Sequence, residues 1–145
     1  MTRIGIAGIL LDTNVLSELM RPQSDKKILA WLQRQRLPFY TSTITRAEIL
    51  LGIALLPNGK RRESLALAAE QMFTQDFAHR CLHFDNEAAA EYALVVAARH
   101  RAGLPISTED GQIAAIALRH GLPLATRNGK DFTRIENLTV FNPWE

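Results

Sequence analysis

Apolar and polar positions follow one another along this chain in blocks whose period changes. Residues 6–11 form a continuous apolar run of strand length that stops at Asp12-Thr13-Asn14. A run without alternation is what a strand shows when both of its faces are covered. Residues 15–20 then predict a short helix ended by Arg21-Pro22. Ser24 and Asp25 cap a second helix through residue 36, with Ile28, Leu29 and Leu32 inward, and Pro38 precedes a short strand over 39–42. In the helix predicted over 44–56, positions 44, 48, 51, 52 and 55 share one stripe, reading Ile, Glu, Leu, Gly, Leu. That phase puts Glu48 on the buried side.

After the Asn58-Gly59 turn a helix runs from Lys60 to about residue 73, and 81–84 reads as a strand. Asp85 or Asn86 caps a long helix through Ala102, which Gly103 and Pro105 end. Ser107 or Thr108 caps another that ends at His120-Gly121, and strands follow over 122–126 and 138–141. Strand and helix alternate throughout, with no repeat, low-complexity tract or linker. The pattern predicts an α/β fold: a single domain over 1–145, with a central, mostly parallel sheet of about five strands covered by helices on both faces.

Composition agrees. A chain of 145 residues, 47% hydrophobic and 22% charged, buries a core without covalent staples. Its single cysteine, Cys81, excludes an internal disulfide and suits a reducing compartment. Arg3 followed by the apolar run gives residues 1–11 a superficial likeness to a secretion signal. The run is too short, however, and no small-residue cleavage site follows it. No stretch approaches the roughly 18 apolar residues that span a bilayer. These features predict a soluble, cytoplasmic protein without a membrane partner.

Four polar residues interrupt apolar sequence. Asp12 closes Ile9-Leu10-Leu11, Glu48 precedes Ile49-Leu50-Leu51, Asp110 opens Gly111-Gln112-Ile113, and Asn128 follows Leu124-Ala125-Thr126 closely. An open parallel sheet gathers functional groups at the carboxyl ends of its strands. Asp12 and Asn128 follow strands, and the helices bearing Glu48 and Asp110 begin at the same edge. Asp110 shares a face with Ile113 and Ala114, whereas Glu109 leans toward Gln112 and Ile116, so Asp110 is preferred for the pocket. Ionised carboxylates buried together cost several kcal/mol or more unless a cation joins them. Oxygen-only ligands favour Mg²⁺, or Mn²⁺, over zinc, and the chain has neither a Cys pair nor a His-x-x-x-His spacing. Such a site, with one ion or two, activates water and stabilises charge on a phosphodiester.

Each residue also has a plainer explanation. Asp12 caps the helix that follows, Asp110 opposes a helix dipole with Ser107 as cap, Glu48 pairs with Arg46 or Arg127, and Asn128-Gly129 is a turn. Only the metal explains all the acids at once. The net charge of +2 is too small to argue for a polyanionic partner, but with those three acids neutralised, 17 basic residues face 12 acidic ones. Arg127, Lys130 and Arg134 flank the Asn128 loop and are the candidates for contacting phosphates, while the basic clusters at 60–62, 99–101 and 119–120 read as solvated helix ends. His79, His83, His100 and His120 show no spacing that suggests a site.

Four segments resemble the PIN-domain family, specifically the VapC ribonuclease toxins of type II toxin-antitoxin pairs and their FitB-like branch. They are LLDTNVLSELMRP from Leu10, TITRAEILLGIALLPNGKRR from Thr43, DGQIAAIALRHGLPLATRNGKDF from Asp110 and VFNPW from Val140. The resemblance implies a PIN-like α/β/α sandwich, with Asp12, Glu48 and Asp110 as catalytic metal-site residues supported by Thr13. The family's fourth position, often Asp, is Asn128 here, which leaves Asp131 to substitute or to hold water. The resemblance also implies a homodimer and a cognate antitoxin, with DNA reached only through the antitoxin. An acidic cleft suits a guanidinium from such a partner, and apolar residues at 50–56 are a candidate partner surface.

The expected function is that of a Mg²⁺-dependent endoribonuclease cutting single-stranded or loop RNA. No residue is an obvious acid for the leaving oxygen. One competing reading is a catalytically weak nucleic-acid-binding regulator of the same fold. Another is aspartyl phosphotransfer, whose usual second Asp two residues on is replaced by Asn14.

Overall fold

The computed structural model describes residues 6–145; the opening five residues, including Arg3 of the stretch compared with a secretion signal, lie outside the described residues. Five strands form one sheet: β1 (Ile9–Leu11), β2 (Phe39–Ser42), β3 (Cys81–Leu82), β4 (Leu124–Ala125) and β5 (Val140–Phe141). Every pairing is parallel and the order is β3-β2-β1-β4-β5. β1 is central, with Ile9 opposite Phe39 and Leu10 opposite Leu124. All three of its residues are buried. Their alternation divides the interior: Ile9 and Leu11 point into one core, Leu10 into the other.

The first core is covered by α1 (Thr13–Leu19), α2 (Lys26–Arg34), α3 (Thr43–Ala54) and α4 (Lys60–Gln71), which contribute Val15, Leu16, Trp31, Ile49, Ile53 and Ala69. The second is covered by α5 (Asn86–Arg101) and α6 (Thr108–His120), through Ala88, Val95, Ile113, Ala114, Ile116 and Ala117. The architecture is therefore the expected α/β/α sandwich. Among the described residues no helix is long and apolar enough to cross a membrane.

Several boundaries differ from the sequence-based expectation. Residues 6–8 do not belong to β1, and Ile6 is exposed. The strands at 81–84, 122–126 and 138–141 each shorten to two residues. In α2, Ile28 and Trp31 turn inward while Leu29 is exposed. After α4 the chain widens into a π-turn, Met72–Asp76, that inserts Met72 and Phe73 into the first core.

The largest correction concerns α3. Its buried stripe is Thr45, Ile49 and Ile53, and Glu48 is exposed, as are Leu51 (60%) and Leu55 (76%). The cap sets this phase. Buried Ser42 at the end of β2 accepts a hydrogen bond from the Thr45 backbone N–H, which fixes Thr45 beneath the cap. Steps of four residues then carry Ile49 and Ile53 inward.

Two features place the ends of the elements that matter. From β1 the chain moves outward through β2 and β3, and later returns on the other flank as β4 and β5, so the crevice beyond β1 and β4 is a topological switch point. At the start of α6, a Cβ built on Gly111 would lie 2.9 Å from Tyr92 Cε2 and 3.0 Å from Val96 Cγ2. The missing side chain lets α6 approach α5 closely beside Asp110.

Candidate active site

Asp12 lies directly after β1, where its backbone N–H donates to the Ala125 carbonyl at 2.9 Å and so faces the end of β4. It is only 4% exposed. Its carboxylate serves as the cap of α1, Oδ1 accepting from the Thr13 N–H at 2.8 Å. Oδ2 accepts from the Thr126 hydroxyl at 2.7 Å and from Asn14 Nδ2 at 3.3 Å. The plainer capping role is therefore present, and the carboxylate's second oxygen is left to Thr126 and Asn14. Burial pushes its pKa up to about 6, against the Thr126 and Thr13 hydrogen bonds that lower it, and the charges of Asp110 and Glu48 add to the rise.

Glu48 reaches the site from the exposed edge of α3. The Thr13 hydroxyl donates to its Oε1 at 2.8 Å and stands 3.0 Å from Thr45 Oγ1. Neither expected arginine pairs with it among the described residues: the Arg46 guanidinium lies 5.3 Å from the centre of the Phe73 ring, and that of Arg127 lies 4.9 Å from the centre of the Trp144 ring.

Asp110 occupies the first turn of α6, half-buried, where its N–H donates to the Ser107 cap at 3.1 Å. Burial again is the main cause of a raised pKa; Ser107 lowers it, the charges of Asp131 and Glu109 raise it, and Arg99 lowers it. Asp131 stands in the 3₁₀ turn Gly129–Phe132.

Hydrogen bonds therefore join Asp12, Thr13 and Glu48, while Asp110 is linked to Asp12, and Asp131 to Asp110, through their charges. Among the described residues no three Asp, Glu, His or Cys side chains are gathered so as to hold a metal ion as they stand. Like charges oppose such closeness. The donor chemistry nonetheless fits a hard cation: every candidate donor is an oxygen, and the repulsion felt by buried Asp12 is what a cation would relieve.

The Asn128 side chain is exposed and makes no hydrogen bond among the described residues; its backbone N–H donates to Thr126 Oγ1 at 3.1 Å. Arg127 and Lys130, with Asn128, line a cavity of about 660 Å³. Arg134 is exposed and does not line it.

Sequence reasoning passed over four residues here. Thr126 and Asn14 hold Asp12, and Thr45 meets Thr13. A polar residue ending the apolar run of β4, as Asp12 ends that of β1, was the available signal for Thr126. Arg99 was read as part of a solvated helix end, yet it is 5% exposed, with Nη1 donating to the Thr133 carbonyl at 2.6 Å and to its hydroxyl at 3.2 Å. Only the fold, which brings Thr133 against α5, reveals it.

The sequence model of the PIN domain family matches residues 9–138. Toxin FitB of Neisseria gonorrhoeae is 45% identical over 137 residues, covering 94% of this chain and 98% of that protein. VapC ribonuclease Y4jK of Sinorhizobium fredii is 41% identical over 138 residues, covering 94% and 98%. Among solved structures, FitAB bound to an IR36 DNA fragment contains a chain that superposes with a TM-score of 0.86 at 44% identity, covering 94% of this chain and 96% of that one.

Proposed function

The chain belongs to the PIN-domain family, and from that premise we propose that it is a metal-dependent endoribonuclease, the toxin of a toxin-antitoxin pair, acting on single-stranded or loop RNA in the cytoplasm and inhibited by a cognate antitoxin. The observation that carries this reading is the Asp12 carboxylate: it is buried at the switch point, held by three donors, and raised to about 6 with the charges of Asp110 and Glu48 contributing. A group so placed is costly for the fold, and perturbed ionisation in a cleft is characteristic of functional carboxylates. The names of its relatives, a toxin and a VapC ribonuclease, agree.

Asp12, Glu48 and Asp110 would hold Mg²⁺ or Mn²⁺. When bound, such an ion supplies a Lewis acid that makes water a competent nucleophile and offsets charge growing on the phosphate. The protein's own part is orientation. Thr126 and Asn14 fix Oδ2 of Asp12, the Thr13 hydroxyl turns Glu48 toward the same edge, and Ser107 anchors the turn that carries Asp110. Asp131 supplies a fourth negative charge where Asn128 offers only a neutral amide.

Two partners follow from the same reading, an antitoxin and a second copy of the chain. The exposed leucines 50 and 51 on α3 and Leu55 at its end support a protein-covered surface there. The second function, a regulator acting on DNA within an antitoxin complex, is favoured by the DNA-bound complex of a similar chain. Incubating the antitoxin-free protein with RNA in Mg²⁺ and in EDTA, then sequencing the new RNA ends, separates the two. Cleavage only with Mg²⁺ supports the ribonuclease; absence of cleavage by folded protein supports the regulator.

A further inference from the structure

The loop after β4 carries the cavity of about 660 Å³, an open one, lined by Arg127, Asn128, Lys130, Val140, Asn142 and Glu145; none of Asp12, Glu48, Asp110 and Asp131 lines it. We propose that it is a nucleotide subsite, holding a residue of single-stranded RNA that flanks the phosphate to be cut. This inference rests on the ribonuclease reading and names where that substrate is gripped.

Three observations carry it. First, the cavity wall is hydrogen-bonded to the groups that hold Asp12. The Arg127 N–H donates to Asn14 Oδ1 at 3.1 Å, and Asn14 Nδ2 donates to Asp12 Oδ2; the Asn128 N–H donates to Thr126 Oγ1, and Thr126 donates to the same Oδ2. The backbone of this wall is thereby held two hydrogen bonds from the Asp12 carboxylate, close enough for one strand to reach from the cavity to the acids.

Second, the cations are available. Among the described residues neither Arg127 nor Lys130 forms an ion pair, and the one lining acid, Glu145, confines a phosphate to the Arg127–Lys130 wall. Third, the wall is braced. The Arg127 guanidinium lies over the Trp144 ring, Asn142 Nδ2 donates to the Arg127 carbonyl at 3.4 Å, and Asn142 Oδ1 accepts from the Trp144 N–H at 2.9 Å. Arg127 is thereby largely ordered before anything binds.

The chemistry selects the occupant. Two unpaired cations suit a phosphate, and the unbonded Asn128 amide offers both a donor and an acceptor to a base edge. A guanidinium plane backed by an indole accepts a stacked base. A base must leave its stack to enter, which single-stranded RNA permits and an A-form duplex does not.

The test uses the full chain freed of antitoxin. Arg127→Ala/Lys130→Ala is expected to raise KM for single-stranded RNA by about tenfold or more while kcat changes by less than about threefold. Independently, in a Trp31→Phe/Asp12→Asn protein, Trp144 fluorescence is titrated with a 2′-O-methyl oligoribonucleotide. Removing both cations should weaken binding and reduce the slope of log K against log salt by about 1.4. Lys130→Ala alone, at an exposed position, repeats the measurement should the double variant melt early.

An unchanged KM with an unchanged salt slope overturns the subsite. So does an equal affinity for duplex, or a loss confined to antitoxin binding, which would make the cavity a protein contact. If the protein never cleaves RNA but the titration behaves as stated, the ribonuclease reading fails and the binding cavity stands. If cleavage occurs and the titration is indifferent to both cations, the reverse holds.

Discussion

The Thr126 hydroxyl donates to Asp12 Oδ2 at 2.7 Å across a sequence separation of 114 residues. Both residues follow strands, and β1 pairs with β4, so the bond spans the switch point of the sheet. The same oxygen of Thr126 accepts from Asn14 Nδ2 and from the Asn128 N–H. One hydroxyl therefore fixes the buried carboxylate and the loop beside it.

Removing that hydroxyl while keeping the shape tests its importance. Thr126→Val should lower RNA cleavage about 10- to 100-fold and raise the Mg²⁺ concentration needed for half-maximal rate, because groups that orient ligands carry effects of that size. The Asn128 N–H left without its acceptor and the buried Asp12 carboxylate left without its Thr126 donor should also cost about 1–3 kcal/mol in a urea melt. Thr126→Ser should recover most of both. Wild-type Mg²⁺ dependence in Thr126→Val would show that the bond does not orient the site.

The raised pKa of Asp12 has a definite consequence for stability. An acid shifted from 3.8 to about 6 keeps its proton in the folded protein at pH values where the unfolded chain has lost it. Its contribution is most favourable below about pH 4, declines as pH rises through 6, and the full loss is about 3 kcal/mol. In EDTA, the stability of Asp12→Asn relative to wild type should therefore improve between about pH 4.5 and pH 7.5. Urea unfolding at both pH values reads the change, and a difference independent of pH would contradict the assignment.

The sequence made much of this legible, for identifiable reasons. The unbroken apolar run of residues 6–11 read as a strand covered on both faces, and the polar break at Asp12 marked its carboxyl end; only its beginning was misplaced, since β1 starts at Ile9. Caps at Asp85 and Ser107 and the left-handed Gly121 bounded α5 and α6. The phase of α3 was misread because Leu51 and Leu55 are apolar yet exposed, and Thr45 is polar yet fully buried. Hydrophobicity alone does not tell an exposed apolar face from a buried one. Arg99 was hidden for the converse reason: its partners Thr133 and Asp110 lie on elements that only the fold brings near.

Those exposed leucines supply a third prediction. Leu55→Glu should leave the melting temperature within a few degrees of wild type, because a surface substitution away from special features changes stability by about 0.5 kcal/mol or less. It should at the same time weaken self-association or antitoxin binding, measured by sedimentation and by calorimetry. Unaltered assembly with both partners would remove the support that α3 lends to a protein interface.

The close approach of α6 to α5 supplies a fourth. Gly111→Ala places a methyl group against Tyr92 and Val96, and should cost about 1–3 kcal/mol as the helices part. Because Asp110 rides on the same turn, cleavage should fall even at temperatures where the variant is fully folded. Retained activity at full folding would mean that the spacing of these helices does not set the position of Asp110.

The central claim is that carboxylates from three distant segments act as one unit around a divalent ion, and their non-additivity in RNA cleavage tests it most directly. Rates should be compared, at saturating Mg²⁺ and with antitoxin removed, for Asp12→Asn, Glu48→Gln, Asp110→Asn and the Asp12→Asn/Asp110→Asn pair. Each single change should reduce the rate at least about 100-fold, and the pair should be no slower than its slower member, as for groups that function only together. Near wild-type cleavage by any of the single variants, or losses that multiply in the pair, would contradict a shared site.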